Sequence, residues 1–357
     1  MERNRPLWYL WFFLFGLSSS LIFSPLNADE VQLIRVRKGD TVSYLSFKIY
    51  GMYDPQMVDL LRRENPQIKD IDLIYVGQQL RFPPAAIMRK WLGEKPIKPA
   101  EPGQLMEPKE ARSKEEPMLD TQVRGHKGVL TFLQGQVQVK KAGEAQWSPA
   151  RPNMILYEKD QMKVLSKSRA ELILDNQSVM RLSENTLLII QKLEEETTTQ
   201  RETARIDLSL GRLWTRTAKL FNPASRFDVR TPTAIAGVQG TVYQVNVTDD
   251  RSTTIQVFQG AVNVYNPFPT VRPSVPGQET RLGRPQEVPG PGEVPGPTAV
   301  SREEWTKIVL RQLQQITVTD RDIPRPTSFD MQRERQSEWV RWNEERDSDF
   351  QPPGRWR

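Results

Sequence analysis

The spacing of hydrophobic residues divides the chain into segments of different period. Residues 33–84 hold two short runs with helical spacing between two short strand-like runs, which predicts a small α+β (βααβ) module. Residues 125–266 alternate between apolar and polar side chains, which predicts an all-β domain that is either solenoid-like or a sandwich. At 301–318 helical spacing returns behind a capping box formed by Ser301 and Glu304, which predicts an amphipathic helix. The chain is therefore predicted to be multidomain.

The segments between these units are rich in proline and charge. Residues 85–124 and 267–300 bury too little apolar surface to fold alone, so we predict Pro-rich linkers there. An additional helical turn is possible directly after the first module, at Ile87–Leu92. The tail, 319–357, has aromatic residues among many charges and is predicted to be disordered.

In the small module, short helices are bounded by clear start and stop signals. Asp40 is the expected N-cap of a helix whose apolar face carries Val42, Leu45 and Ile49, and Gly51 ends that helix. Asp54-Pro55 is typical of an N-cap followed by the first residue of a second helix. A unit of this size can hold a shallow groove but little core.

Several separated pieces of this module resemble the LysM family, and the likeness covers residues 34–83. LysM modules bind N-acetylglucosamine-containing glycans such as peptidoglycan in a shallow groove between two loops. Ser43 and Val76 depart from the usual family pattern. The pieces that carry the resemblance are Val36-x-Lys38-Gly39-Asp40-Thr41, Ile49-Tyr50-Gly51, Asn65-Pro66 and Ile74 to Pro83. The glycan-binding residues that the resemblance implies are Gly39, Asp40, Thr41, Val42, Asn65, Pro66, Ile74 and Tyr75.

The β-rich region resembles FecR-like domains over about residues 128–265. The likeness lies mainly in the run Thr231 to Val245, and in Val257-Phe258-Gln259-Gly260-x-Val262. The resemblance implies an extracytoplasmic β-domain that contacts an envelope protein, with no catalytic residues. Gly237 and Gly240 do not form a phosphate loop, because the Lys-Ser/Thr that such a loop needs is missing and a strand follows.

The N-terminus has the layout of an export signal. Arg3 and Arg5 precede an apolar run at 7–23, and cleavage is expected after Ala28, so residues 1–28 are a predicted signal peptide. The run is also close to the length of a spanning helix, which leaves an uncleaved inner-membrane anchor open. Either reading predicts a periplasmic or cell-envelope protein, with membrane contact only if the segment stays uncleaved.

Composition narrows the function further. The chain has no cysteine and a single histidine, His126, so thiol chemistry and His-based zinc sites are not expected, and neither is a metal or cofactor. The net charge of +6 is spread along the chain without an aromatic–basic cluster, so no nucleic acid is expected as a partner.

These observations predict a non-enzymatic envelope protein. It would bind peptidoglycan through the LysM module and present the β-domain for protein interaction. Two alternatives stay open: a membrane-anchored signal-sensing protein of FecR type, and a wall-remodelling enzyme using a carboxylate pair.

Overall fold

The computed structural model describes residues 30–93, 123–125, 127–196, 198–219, 222–267, 306–320 and 324–353. The predicted signal peptide, His126 and most of both predicted linkers lie outside these residues.

The N-terminal module has the predicted βααβ order. Strands β1 and β2 pair antiparallel, with Ile34 opposite Leu80. Helix α3 follows directly, which confirms the extra helical turn expected after the module. The elements are β1 Gln32–Arg35, α1 Val42–Tyr50, α2 Pro55–Glu64, β2 Gln79–Phe82 and α3 Ala85–Trp91.

The two helix starts differ in how well the sequence predicts them. Asp54 caps α2 as expected, with its carboxylate accepting from the backbone of Gln56. The predicted cap of α1 is wrong by one residue, because Thr41 is the N-cap. The carboxylate of Asp40 instead turns back and accepts from the backbone N–H of Arg37 at 2.8 Å.

The second domain is all-β, as predicted. Its strands form two hydrogen-bonded sheets that share β12 and close into a barrel around one hydrophobic core. Its first fifteen strands are β3 Val123–Gly125, β4 Gly128–Gln134, β5 Val137–Lys140, β6 Ser148–Pro149, β7 Ile155–Leu156, β8 Gln161–Val164, β9 Arg169–Leu174, β10 Val179–Leu182, β11 Thr186–Glu196, β12 Arg201–Arg216, β13 Arg226–Arg230, β14 Ile235–Val238, β15 Val242–Val247, β16 Thr253–Gln259 and β17 Ala261–Tyr265.

The long strand β12 belongs to both sheets. Residues 203–207 pair with β13 in one sheet, and residues 211–216 pair with β15 in the other. Gly211 lies where the strand changes sheets and has φ +92°. A Cβ there would lie 2.5 Å from Cα of Thr186, so only glycine lets the two strands approach this closely.

The predicted amphipathic helix at 301–318 is wrong where the structure describes it. Residues 307–318 form two strands joined by a tight turn, with β18 at Lys307–Arg311 and β19 at Gln314–Val318. Strand β18 extends the first sheet beside β17, and β19 extends the second beside β16. A short strand, β20 Thr327–Ser328, follows.

Residues 324–353 of the tail are folded, so the prediction of disorder is wrong for them. It forms α4 Met331–Glu334 and α5 Glu338–Asp349. Trp339 and Phe350 are almost fully buried. These two aromatic residues of the tail therefore belong to the core.

The module and the β-domain share one hydrophobic cluster. Val129, Ile173 and Val179 of the β-domain join the module core, and Phe350 packs there too, with its ring 5.8 Å from that of Tyr44. The module, the β-domain and the tail therefore pack as one body around a continuous interface.

Candidate functional site

The predicted glycan loops border a cleft between the module and the β-domain, which we call the interdomain cleft. It has a volume of about 190 Å³. Four of the eight predicted glycan-binding residues line it. The lining residues are Gly39, Asp40, Thr41, Ile71, Asp72 and Ile74 from the module, with Phe132, Leu133, Pro152 and Asn153 from the β-domain.

Thr41 links the first loop to the β-domain. Its hydroxyl accepts from the backbone N–H of Tyr44, which caps α1, and donates to the carbonyl of Thr131 at 2.7 Å. The helix cap and the interdomain contact therefore depend on the same side chain.

Asn153 connects the β-domain with both module loops. Its carbonyl oxygen accepts from the backbone N–H of Ser43 at 2.8 Å, and its amide donates to the carbonyl of Ile71 and to the carboxylate of Asp72. Asn153 has φ +62°, a conformation that asparagine tolerates better than most residues. Sequence reasoning missed this residue, since an isolated Asn in a turn carries no sign of a distant partner.

Gly39 is packed closely against Phe132 of the β-domain and Arg346 of the tail. It has φ +88°, and a Cβ at this position would lie 3.1 Å from the ring of Phe132 and 3.3 Å from the guanidinium of Arg346. Beside it, burial raises the pKa of Asp40 above its ordinary value, although the backbone hydrogen bond from Arg37 acts in the opposite direction. The cleft thus holds a carboxylate that is partly shielded from water.

The other four predicted glycan residues lie outside the cleft lining. Val42 is buried in the module core, and Asn65 is buried with its amide bonded to the backbone of α2 and β2. Pro66 is exposed. Tyr75 is 67% exposed and belongs to an apolar rim on the second loop, which consists of Leu73, Tyr75 and Val76.

A buried charge cluster lies behind the cleft. Glu171 and Arg181 are fully buried and bonded at 2.6 Å, and Arg346 from α5 makes two further bonds to the same carboxylate at 2.7 and 2.9 Å. Burial alone would raise the pKa of Glu171, but the two guanidinium groups lower it to about 2. Glu171 therefore stays ionised and ties α5 to the β-domain. Asp347 adds a second carboxylate, 2.7 Å from Arg181.

Helix α5 also contacts the module directly. The guanidinium of Arg346 lies 4.4 Å from the ring centre of Tyr44 and 4.9 Å from that of Phe132. The carboxylate of Asp349 accepts from the Tyr44 hydroxyl at 3.0 Å and from Lys48 at 2.8 Å. One helix thus holds the module and the β-domain in a fixed relation.

The described residues contain neither a membrane-spanning helix nor a metal-binding cluster. No helix among them is long and apolar enough to cross a membrane. Within the same ranges, no three histidine, cysteine or acidic side chains come together as metal ligands.

Comparisons with known proteins match the two units. The LysM domain profile matches residues 34–83, and the FecR protein profile matches residues 160–263. Both predicted resemblances are confirmed, although the FecR match begins at β8 and leaves the preceding β-strands unmatched. No curated protein matches the chain.

Two solved structures of one protein are weakly similar to this chain. Both are crystal structures, at 2.50 and 1.65 Å, of a protein from Parabacteroides distasonis ATCC 8503 provisionally designated as an anti-sigma factor. Identity is 15% in each case, with TM-scores of 0.33 and 0.34 over 50% of this chain. The match spans only 63% and 64% of the neighbour's own length.

The two matched families are binding and regulatory domains that are typical of extracytoplasmic or envelope proteins. LysM domains bind N-acetylglucosamine-containing glycans, and FecR domains have regulatory roles. This chain carries a LysM domain followed by a FecR-type all-β domain.

Proposed function

We propose that this protein is a non-enzymatic component of the cell envelope that holds a peptidoglycan-type glycan in the interdomain cleft. The observation that carries the proposal is the position of the cleft. The first LysM loop and the segment that leads into the second loop form one wall of it, and the β-domain forms the other. In this arrangement the β-domain is part of the glycan site, and it also presents its remaining surface to an envelope protein.

The chemistry of the cleft suits an N-acetyl sugar. An acetamido group offers one donor, one acceptor and one methyl group. Asp40 uses one carboxylate oxygen for Arg37, and no described residue hydrogen-bonds to the other, so that oxygen is available to a sugar N–H or hydroxyl. Ile74 and Leu133 supply apolar surface for the methyl group. Such a neutral ligand requires no countercharge.

The exposed rim extends this site. Leu73, Tyr75 and Val76 present apolar side chains to solvent directly beside Ile74. A sugar ring leaving the cleft would pack on Tyr75, which can cover one ring face. A single contact of this kind is weak, on the order of 1 mM, but a repetitive polymer offers many sites at high local concentration.

The test is a pull-down of the full chain with purified peptidoglycan sacculi. Two variants probe the two parts of the site: Asp40→Asn in the cleft and Tyr75→Ala on the rim. Because Asp59 is an exposed carboxylate on α2, Asp59→Asn is the matched control for Asp40→Asn. We expect recovery of the native chain and the control, and a loss of about fivefold for each test variant, equivalent to about 1 kcal/mol.

Recovery of the native chain no better than that of an unrelated protein of similar positive charge would overturn glycan binding. Release of muropeptides during the same incubation would overturn the non-enzymatic assignment. Loss of binding in Asp40→Asn but not in Tyr75→Ala would restrict the glycan to the cleft.

A second candidate function is favoured by the FecR match at 160–263. In that case the chain is a membrane-anchored regulator whose β-domain receives a signal. The two functions differ in the fate of residues 1–28. Mass spectrometry of the protein from fractionated cells would show a chain shortened by these residues for the tethering protein, and an intact membrane-bound chain for the anchored regulator.

A further inference from the structure

A second hollow lies on the solvent face of the first β-sheet, far along the chain from the LysM loops. We call it the outer groove. It crosses β12, β13, β14 and β17 and has a volume of about 790 Å³. Its centre is the cross-strand row Arg205, Asp228, Gly237 and Asn263, in which each residue pairs directly with the next.

The groove exists because the row has no side chain at Gly237. A Cβ there would lie 3.1 Å from a carboxylate oxygen of Asp228 and 3.3 Å from the ring of Tyr265. The carboxylate of Asp228 and the ring of Tyr265 therefore approach Gly237 from the two strands that flank it. They leave a trough with an acidic wall and an aromatic wall.

Four of the polar side chains that line the groove are not hydrogen-bonded within the described part of the chain, whereas Gln239 and Ser225 are. Among the described residues, none hydrogen-bonds to the side chains of Arg205, Arg226, Asp228 or Asn263. Burial raises the pKa of Asp228, while Arg205 and Arg226 act in the opposite direction. A half-buried carboxylate without a hydrogen-bond donor is costly for a structural role, so these groups are suited to a ligand.

The arrangement of charges limits the ligand class. Asp228 accepts, Arg205 and Arg226 donate, and Asn263 does both, so acceptors and donors alternate across the trough. An anionic ligand would be repelled by the carboxylate of Asp228, and a cationic ligand would be repelled by the two guanidinium groups. Hydroxyl groups both donate and accept, and the C–H face of a sugar ring matches an aromatic ring such as Tyr265.

We propose that the outer groove is a second saccharide site, which takes a neutral sugar ring against Tyr265 with its hydroxyls on Asp228, Asn263 and Arg226. This site is separate from the LysM cleft and does not depend on it. With both sites occupied, one chain would hold two sugar segments at separate places on its surface, and a polymer that spans both would bind with avidity.

The experiment is an NMR titration of the full chain with chitotetraose and, separately, maltotetraose, each to about 10 mM, a range that detects millimolar binding. The backbone amides of Gly237 and Asn263 report on the groove, and that of Asp40 reports on the cleft. Tyr265→Ala and Asp228→Asn are the test variants. Thr317→Ala is the control, since Thr317 is an exposed residue on a strand of the other sheet.

We expect shifts at Gly237 and Asn263 with at least one of the two sugars. We also expect Kd to rise about tenfold in Tyr265→Ala and Asp228→Asn but not in Thr317→Ala. The proposal is overturned if neither sugar moves these amides. It is equally overturned if the shifts persist unchanged in both test variants, or if a triglutamate peptide competes with the sugar for the groove. Because shifts at Asp40 are read separately, failure of the LysM cleft leaves this result intact.

Discussion

The interdomain cleft and the outer groove are built in opposite ways. In the cleft, polar side chains such as Thr41 and Asn153 are already bonded across the interface, and the hollow is what remains after two units dock. In the outer groove, a glycine leaves space within a single sheet, and no described residue hydrogen-bonds to the side chains of Asp228 and Asn263. The interdomain cleft therefore exists only while the module and the β-domain stay docked. The outer groove exists within one sheet, and its unpaired polar side chains lower the stability of the folded chain.

Disrupting the buried charge cluster around Glu171 should open the interdomain cleft and leave the outer groove intact. Glu171→Gln removes the carboxylate that Arg181 and Arg346 share, so Arg346 is left without one and Arg181 keeps only Asp347, and we expect the free energy of unfolding to fall by about 3–5 kcal/mol. Urea denaturation at pH 7 measures this. The control is Glu344→Gln, which removes an exposed ion pair with Arg335 and should leave the unfolding midpoint unchanged. Equal effects for the two variants would show that the cluster does not hold α5 in place.

The same carboxylate predicts how stability depends on pH. The pKa of Glu171 is about 2 in the folded chain against its ordinary value of 4.5, so the folded state favours the ionised form. The resulting stabilisation is complete above about pH 4.5 and is lost as the pH falls toward 2. Denaturation midpoints measured across this range should fall steeply for the native chain and much less for Glu171→Gln. Parallel curves would contradict the assignment.

Asn153 tests whether hydrogen bonds across the interface hold the cleft without affecting the outer groove. Asn153→Ala removes three hydrogen bonds and leaves the buried N–H of Ser43 unpaired, at a cost of about 2 kcal/mol. Hydrogen exchange should quicken in residues 38–43 and 70–74 but remain unchanged around Gly237. Asn185→Ala is the control for backbone strain, because Asn185 has a similar φ of 56° at an exposed turn. Unchanged exchange at 38–43 would mean that Asn153 does not hold the loops.

The smallest expected effect has the opposite sign. The pKa of Asp228 is raised in the folded chain, so its ionisation at neutral pH favours unfolding. Asp228→Asn should raise stability at pH 7 by up to about 0.5 kcal/mol, the range for partly exposed positions, and this gain should vanish below the ordinary pKa of aspartate. Thermal melts at both pH values test this. A loss of stability at pH 7 would show that Asp228 is a structural residue.

The LysM module was predictable because its signals are local. Asp54-Pro55 starts α2 and Gly51 ends α1 without help from distant residues. The error at the cap of α1 has a distant cause, since the Thr41 hydroxyl is also bonded to Thr131, which lies 90 residues later. For the same reason, half of the candidate site was predictable and the half supplied by the β-domain was not.

The two strands at 307–318 show how helical spacing can mislead. Ile308, Leu313 and Ile316 fit one face of a helix, but the structure turns at Gln312-Leu313 with Leu313 at φ +61°. A leucine in this conformation is uncommon and gives no turn signal, so the period-two alternation of the two short strands was hidden. What decides the outcome is pairing with β16 and β17, which the local sequence does not reveal.

The contact between Tyr44 and Asp349 joins residues 305 positions apart. During synthesis the LysM module would emerge about three hundred residues before helix α5, which holds it against the β-domain. Contacts of such long range slow folding, and until they form the apolar faces of the module and of β4, β9 and β10 are open to water and to other chains. Newly made chains should therefore need chaperones until α5 docks, and removal of the segment around Phe350 should leave a product prone to aggregation.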